Sequence, residues 1–170
     1  MPTTLRPALP EDEPLLLEIY ASTRADELSL VPWTEEEKHA FVQMQFTAQH
    51  QHYTQHYPAA QWLIITTEAV PSGRLIVDRA GAEILLMDIA LLPPYRSQGI
   101  GTALMRDLLD EAQRTDRPVR LHVEFFNPAK RLYERFGFTT IGESGIYFEM
   151  EWRPVAERPM AERPVADRVK

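Results

Sequence analysis

The sequence predicts a mixed α/β (α+β) domain in which a central sheet of about seven strands is flanked by about four helices. The chain has 170 residues, a length that suits a single domain with a sizeable core. Hydrophobic residues make up 44% of the chain and charged residues 25%, as in ordinary globular proteins. Apolar positions switch repeatedly between strand spacing and helix spacing, and this alternation predicts the element order β-α-α-β-β-β-α-β-α-β-β.

The N-terminal residues are predicted to form one strand, one helix and a loop. Residues Thr3 to Ala8 can form the strand. The helix begins within Pro10 to Pro14, because acidic residues and proline both suit a first helical turn. We expect this helix to end near Arg24 and a loop to run from Ala25 to Trp33, with Pro32 as a breaker.

The second helix is predicted to begin after Thr34, because Glu37 follows at the spacing of a capping box. It runs to about Tyr57, before a proline. His52 and His56 lie four residues apart on this helix, a spacing that metal ligands use. No third ligand follows at a clear spacing, so the sequence favours a polar helix face and predicts no metal.

The middle of the chain is predicted to form three strands. Trp62 to Thr67 and Arg74 to Asp78 pair as an antiparallel hairpin around a turn at Pro71 to Gly73. Glu83 to Leu92 is a longer strand whose near-continuous apolar run indicates burial on both faces. Asp88 interrupts that run, and a buried carboxylate is costly unless it is paired, so Asp88 is a candidate site residue.

The elements in the last third of the chain are predicted from helix-capping residues and from the alternation of apolar and polar residues. A helix ends near Thr115, and Val119 to Glu124 alternates as a strand does. A short helix is capped by Asn127, has Pro128 in its first position and stops at Gly137. The final strands are predicted at Phe138 to Ile141 and at Ile146 to Trp152, with the turn between them at Gly142 to Gly145.

Composition limits the classes of function. The chain has no cysteine, which excludes disulfides and thiol catalysis. It has no apolar signal core and no run as long as a membrane span, so we expect a cytoplasmic protein that does not bind membranes. The net charge of −7 argues against non-specific binding to nucleic acid.

A glycine loop connects the long strand to the helix that follows it. Arg96, Gly99 and Gly101 form the pattern Arg-x-x-Gly-x-Gly where helical spacing begins. The first amides of a helix lack intrahelical partners and favour an anion, so this loop indicates a phosphate site. A P-loop would need Gly-Lys-Ser/Thr, and a dinucleotide fingerprint would need a third glycine or alanine where Leu104 stands. Glycines that only permit tight packing at a helix start are the alternative on this motif alone.

Two motifs together resemble the GNAT superfamily of acyl-CoA N-acyltransferases, and the run from Asp88 to Gly101 with Leu121 to Glu124 resembles a bacterial N-acetyltransferase subgroup. The first is the glycine loop, which resembles the family's pyrophosphate loop. The second runs from Asn127 to Phe138 as Asn-Pro-Ala-x-x-Leu-Tyr-x-x-x-Gly-Phe, in family order. The resemblance implies a mixed, mostly antiparallel sheet that splays between its fourth and fifth strands, and acetyl-CoA (coenzyme A) as the acyl donor.

The resemblance also implies how the chain would hold the cofactor. The loop amides from Ser97 to Thr102 would bind the diphosphate, with added contacts from Arg96. Backbone groups of the preceding strand would bind the pantetheine arm. Lys130 and Arg131 would bind nucleotide phosphates, unless they form a solvated helix face. The implied cofactor-binding residues are Ile89, Ala90, Leu91, Arg96, Ser97, Gln98, Gly99, Ile100, Gly101, Thr102, Asn127, Ala129, Lys130, Arg131 and Tyr133.

Catalysis needs a proton acceptor for the amine and a proton donor for the thiolate. Tyr133 matches the family tyrosine near the sulfur, so we predict it as the general acid; a packed structural tyrosine is the alternative. We predict Asp88 first and Glu124 second as the base, acting directly or through water. His122 shares the strand face of Glu124 and is a further candidate, because histidine is the residue type whose unperturbed pKa suits a base at neutral pH. The predicted substrate-contacting residues are Gln45, Gln49, Tyr53 and His122.

These features predict an N-acetyltransferase that moves acetyl from acetyl-CoA to a primary amine of a small molecule. Direct attack in a ternary complex is expected, because no cysteine can carry the acetyl group. A protein N-acetyltransferase and a non-catalytic acyl-CoA-binding module are the alternatives, and a homodimer stays open. Residues 1–152 would form the domain; residues 153–170 repeat with a five-residue period and are predicted to be extended or loosely ordered.

Overall fold

The structure of the protein, a computed structural model, describes residues 2–155. Seven strands form one sheet in the order β1-β2-β3-β4-β5-β7-β6, and four helices flank it. The strands are β1 (Thr3–Pro7), β2 (Gln61–Thr67), β3 (Val70–Asp78), β4 (Ile84–Leu91), β5 (Val119–Glu124), β6 (Thr139–Ser144) and β7 (Tyr147–Trp152). The helices are α1 (Glu13–Ser29), α2 (Glu35–His56), α3 (Ile100–Arg114) and α4 (Ala129–Arg135). The predicted fold class and element order are confirmed.

The pairing of the strands makes the sheet mixed. Neighbouring strands are antiparallel except for β4 and β5, which run parallel. A parallel pair needs a crossover, and α3 supplies it between these two strands. The glycine loop therefore lies at the carboxyl end of β4, where the crossover begins.

Each face of the sheet buries a separate group of apolar side chains. On one face, α3 packs Leu104, Met105 and Leu108 against side chains such as Leu75 and Leu86. The spacing of these α3 residues is that of one helix face, as the sequence predicts. On the other face, α1 and α2 pack over β2 around Ile64. Polar side chains that leave the sheet on this second face meet α1 and α2.

A bulge in β4 decides which face Asp88 occupies. Val77 pairs with Leu86 but Ile76 pairs with Asp88, so Met87 is an extra residue in β4. Leu86 packs in the α3 core, whereas Ile76 lies between two residues of that core and must face the other way. Because directly opposed residues share a face, the bulge turns Asp88 toward α1 and α2.

β4 and β5 separate after three paired residues. Ile84 to Leu86 pairs with Val119 to Leu121, and no pairing between the two strands continues beyond these residues. The edge of β4 from Met87 to Leu91 that faces β5 therefore has no strand partner in residues 2–155. This is the splay between the fourth and fifth strands that the family resemblance implies, and the prediction is confirmed.

The predicted end of α1 near Arg24 is wrong, because the helix continues to Ser29. The five residues after Arg24 include good helix formers such as Ala25 and Leu28. Arg24 also pairs with Glu27 at 3.3 Å across one helical turn. The longer helix matters for function, since its last turns reach the splayed region.

The predicted turn at Pro71 to Gly73 is also wrong. The chain turns at Glu68 and Ala69, whose φ angles are 51° and 65°, and β3 begins at Val70. Pro71 is tolerated because the β2–β3 register shifts beside it, which leaves Ser72 as a bulge residue. Gly73 is required by a close approach, since a Cβ there would lie 2.2 Å from the Ala90 carbonyl oxygen.

The last hairpin turns later than predicted. β6 continues to Ser144, and Gly145 makes the turn with a φ of 59°. Gly142, predicted as the start of the turn, instead follows a register shift within the strand pair. The repeat in residues 156–170 lies outside the described residues. Across residues 2–155, no helix combines the length and the apolar character that a membrane crossing requires.

Candidate active site

The splay opens into a cavity of about 590 Å³ between β4, β5, α1 and α2. The cavity lies where β4 and β5 separate, and α1 and α2 cover it on one face of the sheet. Its walls therefore come from elements that are distant in sequence. The cavity brings together most of the predicted catalytic and substrate residues, together with part of the predicted cofactor set: Gln49, Tyr53, Asp88, Ile89, Ala90, His122, Glu124, Asn127 and Tyr133.

Other predicted residues lie outside this cavity. Gln45 faces α1, where its Oε1 accepts a hydrogen bond from the Tyr20 hydroxyl at 3.4 Å. Leu91 and the glycine loop lie at the end of β4 beyond the cavity lining. Ala129, Lys130 and Arg131 belong to the first turn of α4 and do not line it either.

The geometry of the glycine loop suits a bound anion. Gly99 adopts a φ of 83° and precedes the first helical residue of α3. Ala103 donates to the Gly99 carbonyl at 3.0 Å, so the amides before Ala103 are the unpaired first donors of the helix. A Cβ added to Gly99 or Gly101 would meet no atom within 4 Å. Open space in front of unpaired amides fits a diphosphate better than the packing alternative, which would fill that space.

Arg96 fastens the start of this loop. Its Nε donates to the Leu91 carbonyl at 2.8 Å, and its Nη2 lies 3.3 Å from both the carbonyl and the hydroxyl oxygen of Ser22. The guanidinium thus joins the end of β4 to α1. Its Nη1 makes no hydrogen bond within residues 2–155 and is the atom left for a phosphate.

Arg74 and Asp88 form a buried ion pair on the cavity wall. The Arg74 Nε lies 2.6 Å from Oδ2 of Asp88, and Nη2 donates to Oε1 of Gln49 at 3.0 Å. Only 2% of the Arg74 side chain is exposed, against 26% for Asp88. The pair explains how a carboxylate is tolerated in the apolar run of β4. Oδ1 of Asp88 makes no hydrogen bond in the described part of the chain and stays available.

Tyr133 is held by packing. Its ring meets Phe138 edge-on at 5.8 Å, and its hydroxyl makes no hydrogen bond to any of residues 2–155. Burial and then the nearby charge of Asp88 raise the pKa of Tyr133 to about 12. The phenol is therefore protonated at neutral pH. Tyr133 thus presents to the cavity a protonated hydroxyl that no residue of the described chain engages.

Tyr53 and the β5 side chains form the remaining polar wall. Burial and the charge of Asp88 raise the pKa of Tyr53 to about 12, so it too stays protonated. His122 is 47% exposed, and its Nε2 lies 3.5 Å from Glu149. Glu124 is 32% exposed and has a long contact of 3.5 Å to Arg24. Leu121 and Val123 alternate with these two residues in the α3 core, so the predicted shared face is present.

The first turn of α4 is partly occupied by its own contacts. Oδ1 of Asn127 accepts a hydrogen bond from the Ala129 amide at 2.9 Å, whereas Pro128 rather than the predicted Asn127 occupies the cap position of α4. Lys130 lies 3.4 Å from Glu134 and 4.9 Å from the centre of the Phe148 ring. Arg131 is exposed and makes no ion pair within residues 2–155, which leaves it the freer of the two cations.

Sequence reasoning missed the cavity residues on α1 and β3. Tyr20, Arg24 and Arg74 all line the cavity. Arg24 was missed because the helix was expected to stop there. Arg74 could have been found by the rule applied to Asp88, since it is a charge beside a buried apolar run. Tyr20 and Arg24 share a helix face at i and i+4, which is a usable signal once the helix is extended.

Two further features contain no predicted site residue. The ring centres of His52 and His56 lie 4.3 Å apart with the rings tilted by 32°, and no group of three or more metal-ligating side chains occurs in residues 2–155. A more open groove of about 1480 Å³ is lined only by α1 and α2. It contains apolar side chains such as Leu17 and Leu28 and no residue of the cavity described above.

Comparison with known proteins identifies the same elements. The family model described as an acetyltransferase (GNAT) domain matches residues 58–140, which include the splay, the glycine loop and α4. A search of curated proteins finds no match.

Solved structures share the whole fold at low identity. A PaiA N-acetyltransferase from Thermoplasma acidophilum, determined in complex with coenzyme A, has 19% identity and a TM-score of 0.68 over 90% of this chain and 99% of its own. An acetyltransferase from Thermus thermophilus has 19% identity and a TM-score of 0.63, over 90% and 97%. The ribosomal-protein-S18-alanine N-acetyltransferase from Escherichia coli has 20% identity and a TM-score of 0.60, over 94% and 99%.

Proposed function

Because the chain belongs to the GNAT superfamily of acetyltransferases, we propose that it transfers acetyl from acetyl-CoA to the primary amine of a small molecule. The observation that carries the proposal is the splay of β4 from β5. It opens between a loop of unpaired amides and a cavity that holds Asp88 and Tyr133. An anion site and a proton-transfer site are thereby joined by an unpaired strand edge.

The chain has groups that fit each part of acetyl-CoA. The loop amides from Ser97 to Thr102 bind the diphosphate, with Nη1 of Arg96 as an additional donor. The free edge of β4 from Met87 to Leu91 offers backbone groups to the amides of the pantetheine arm. Arg131 binds the nucleotide phosphates. When bound, acetyl-CoA supplies an activated thioester whose carbonyl carbon an amine can attack.

Asp88 and Glu124 are the proposed proton acceptors for the amine. Oδ1 of Asp88 is free while Arg74 holds Oδ2, so the carboxylate is fixed with one oxygen available. Glu124 on the opposite wall is the second candidate, and a water can relay the proton to either. As the new C–N bond forms and the C–S bond breaks, Tyr133 gives its hydroxyl proton to the departing sulfur and regains one from solvent.

The acceptor is proposed to be small because the cavity is small. About 590 Å³ must hold both the acceptor and the acyl end of the donor. The net charge of −7 favours an acceptor with a cationic amine. A homodimer and a cytoplasmic location stay predictions of this proposal.

A thiol-release assay tests the proposal. The purified protein is incubated with acetyl-CoA and a panel of amino acids, polyamines, aminoglycosides and short peptides, and mass spectrometry identifies any acetylated product. We expect an acetylated amine, and Asp88→Asn or Glu124→Gln then identifies the base by the larger loss of kcat. Binding of acetyl-CoA in calorimetry without turnover of any amine would instead support a non-catalytic acyl-CoA-binding module.

A further inference from the structure

Two arginines meet at one aromatic ring in the cavity wall. The guanidinium carbon of Arg24 lies 5.4 Å from the centre of the Tyr20 ring, and that of Arg74 lies 5.6 Å from the same centre. All three residues line the cavity. Two guanidiniums therefore lie against one buried ring, beside the proposed base Asp88.

Arg74 has a donor that the protein does not use. Its Nε binds Asp88 and its Nη2 binds Gln49, but its Nη1 is buried and has no hydrogen-bond partner. Buried polar atoms are almost always paired, because water can no longer satisfy them. Because Nη1 is fully buried, a ligand can contact it only if the Arg74 guanidinium turns; without that change Arg74 supports an anion in the cavity through its charge.

Arg24 is held only by long contacts. Its Nε lies 3.3 Å from the Tyr20 hydroxyl, and its Nη1 lies 3.3 Å from Glu27 and 3.5 Å from Glu124. Charge-assisted hydrogen bonds between arginine and carboxylate are usually shorter, at about 2.7–2.9 Å. Its Nη2 makes no hydrogen bond within residues 2–155. An arginine with loose contacts and a free nitrogen can turn to a carboxylate that enters the cavity.

We infer that the acceptor carries a carboxylate close to its amine, and that Arg24 and Arg74 bind this carboxylate while Asp88 and Glu124 receive the ammonium end. The inference rests on the proposed function and specifies its substrate class. Asp26 and Glu27 also line the cavity, so four carboxylates face two guanidiniums. A purely anionic acceptor is disfavoured by that balance, whereas a zwitterion of the amino-acid type satisfies both groups of charges.

Matched acceptors test the inference. Each L-amino acid is compared with its carboxamide and with the decarboxylated amine, using acetyl-CoA as donor. We expect kcat/KM for the best amino acid to exceed that of its decarboxylated amine about tenfold or more, because a charge-assisted contact is lost. Arg24→Met should remove most of this preference, and Arg24→Lys should restore part of it.

Controls separate recognition from folding. Arg114 is an exposed arginine in the last turn of α3 and does not line the cavity. Arg114→Met should therefore leave the preference unchanged. Circular dichroism and acetyl-CoA calorimetry on each variant check that the fold and the donor site are retained.

The outcomes distinguish this inference from the proposed function. Acetylation of amines with no carboxylate preference, or with a preference that Arg24→Met leaves intact, would overturn the inference but keep the transferase. If no amine is acetylated, calorimetry of amino acids against the coenzyme A-loaded protein decides. Binding that Arg24→Met weakens about tenfold would support the carboxylate site without the reaction. If amino acids and their decarboxylated amines bind equally well and no amine is acetylated, both the carboxylate inference and the proposed function are overturned.

Discussion

Nε of Arg74 on β3 lies 2.6 Å from Oδ2 of Asp88 on β4, and this ion pair joins the framework of the sheet to the proposed chemistry. Asp88 faces the cavity only because of the bulge at Met87. Arg74 is tolerated in a buried strand only because Asp88 and Gln49 accept its hydrogen bonds. One residue pair therefore serves both folding and function, and the two roles can be separated by experiment.

The first prediction concerns the stability of this pair. Asp88→Ala should destabilise the protein by about 3 kcal/mol, because it leaves a guanidinium buried without its counter-charge; the partial exposure of Asp88 favours the low end of the range for buried pairs. Urea unfolding followed by circular dichroism measures the change. The double variant Arg74→Met with Asp88→Leu should recover much of the loss. A double variant less stable than Asp88→Ala would show that the pair is not coupled in this way.

The second prediction concerns the anion site. Gly101→Glu should weaken acetyl-CoA binding more than about 100-fold, because a carboxylate would occupy the open space in front of the loop amides and repel the diphosphate. Calorimetry measures the affinity. Gly81→Glu is the matched control, because a Cβ there also meets no atom within 4 Å. Equal acetyl-CoA affinity in the two variants would show that the diphosphate does not bind at this loop.

The third prediction concerns Tyr133. Tyr133→Phe should lower kcat about 100-fold, in the lower part of the range for general acid catalysis, and leave the affinity for acetyl-CoA nearly unchanged. The ring packing on Phe138 is retained, so the loss reports the hydroxyl alone. Steady-state kinetics and calorimetry give the two quantities. Tyr57→Phe, on a tyrosine outside the cavity, should change neither, and an unchanged kcat in Tyr133→Phe would assign Tyr133 a structural role.

The fourth prediction concerns acid stability at the start of the chain. Both carboxylate oxygens of Asp12 lie within hydrogen-bond distance of Arg6, at 2.7 and 2.9 Å, and Oδ2 accepts the Leu9 amide at 2.7 Å. These bonds, with that of Arg6 the largest, lower the pKa of Asp12 from 3.8 to about 2. A group whose pKa falls on folding stabilises the protein above its unfolded pKa. This contribution should be present at neutral pH and lost as pH falls from about 4 to about 2.

Asp12→Asn tests that contribution. The free energy of unfolding of the variant should lie below that of the parent at pH 7, and the two should converge toward pH 2, as measured by urea unfolding at each pH. Glu11→Gln changes an exposed neighbour and should leave the curve unchanged. A constant difference between Asp12→Asn and the parent from pH 7 to pH 2 would contradict the assignment.

Short sequence motifs at the helix starts were enough to predict α3 and α4, the helices beside the proposed cofactor site. Gly99 begins α3 with a φ that favours glycine, and Asn127 accepts the first amide of α4, so both signals can be recognised in the sequence. The splay was predicted through the family resemblance alone. Nothing in the local sequence of β4 or β5 specifies where their pairing ends, because that depends on how the two strands twist in the finished sheet.

The acceptor side of the cavity was harder to predict. Arg24 was expected at a helix end, because no glycine or asparagine at Leu30 marks the true end of the helix after Ser29. Arg74 and Tyr20 come together only through the packing of α1 on β3, a contact between residues more than fifty positions apart. The bulge at Met87 carries no glycine or proline that would announce it.

The bulge at Met87 changes which residues of β4 face the α3 core. Before Met87, the even-numbered residues Ile84 and Leu86 pack in the α3 core; after it, the odd-numbered Ile89 and Leu91 do so. Deletion of Met87 would remove the bulge and restore strict alternation, which leaves Leu86 and Ile89 in the α3 core and Asp88 on the cavity face. β4 should therefore tolerate the loss of Met87 but not the loss of Ala90, because a deletion beyond the bulge would turn Leu91 away from the α3 core.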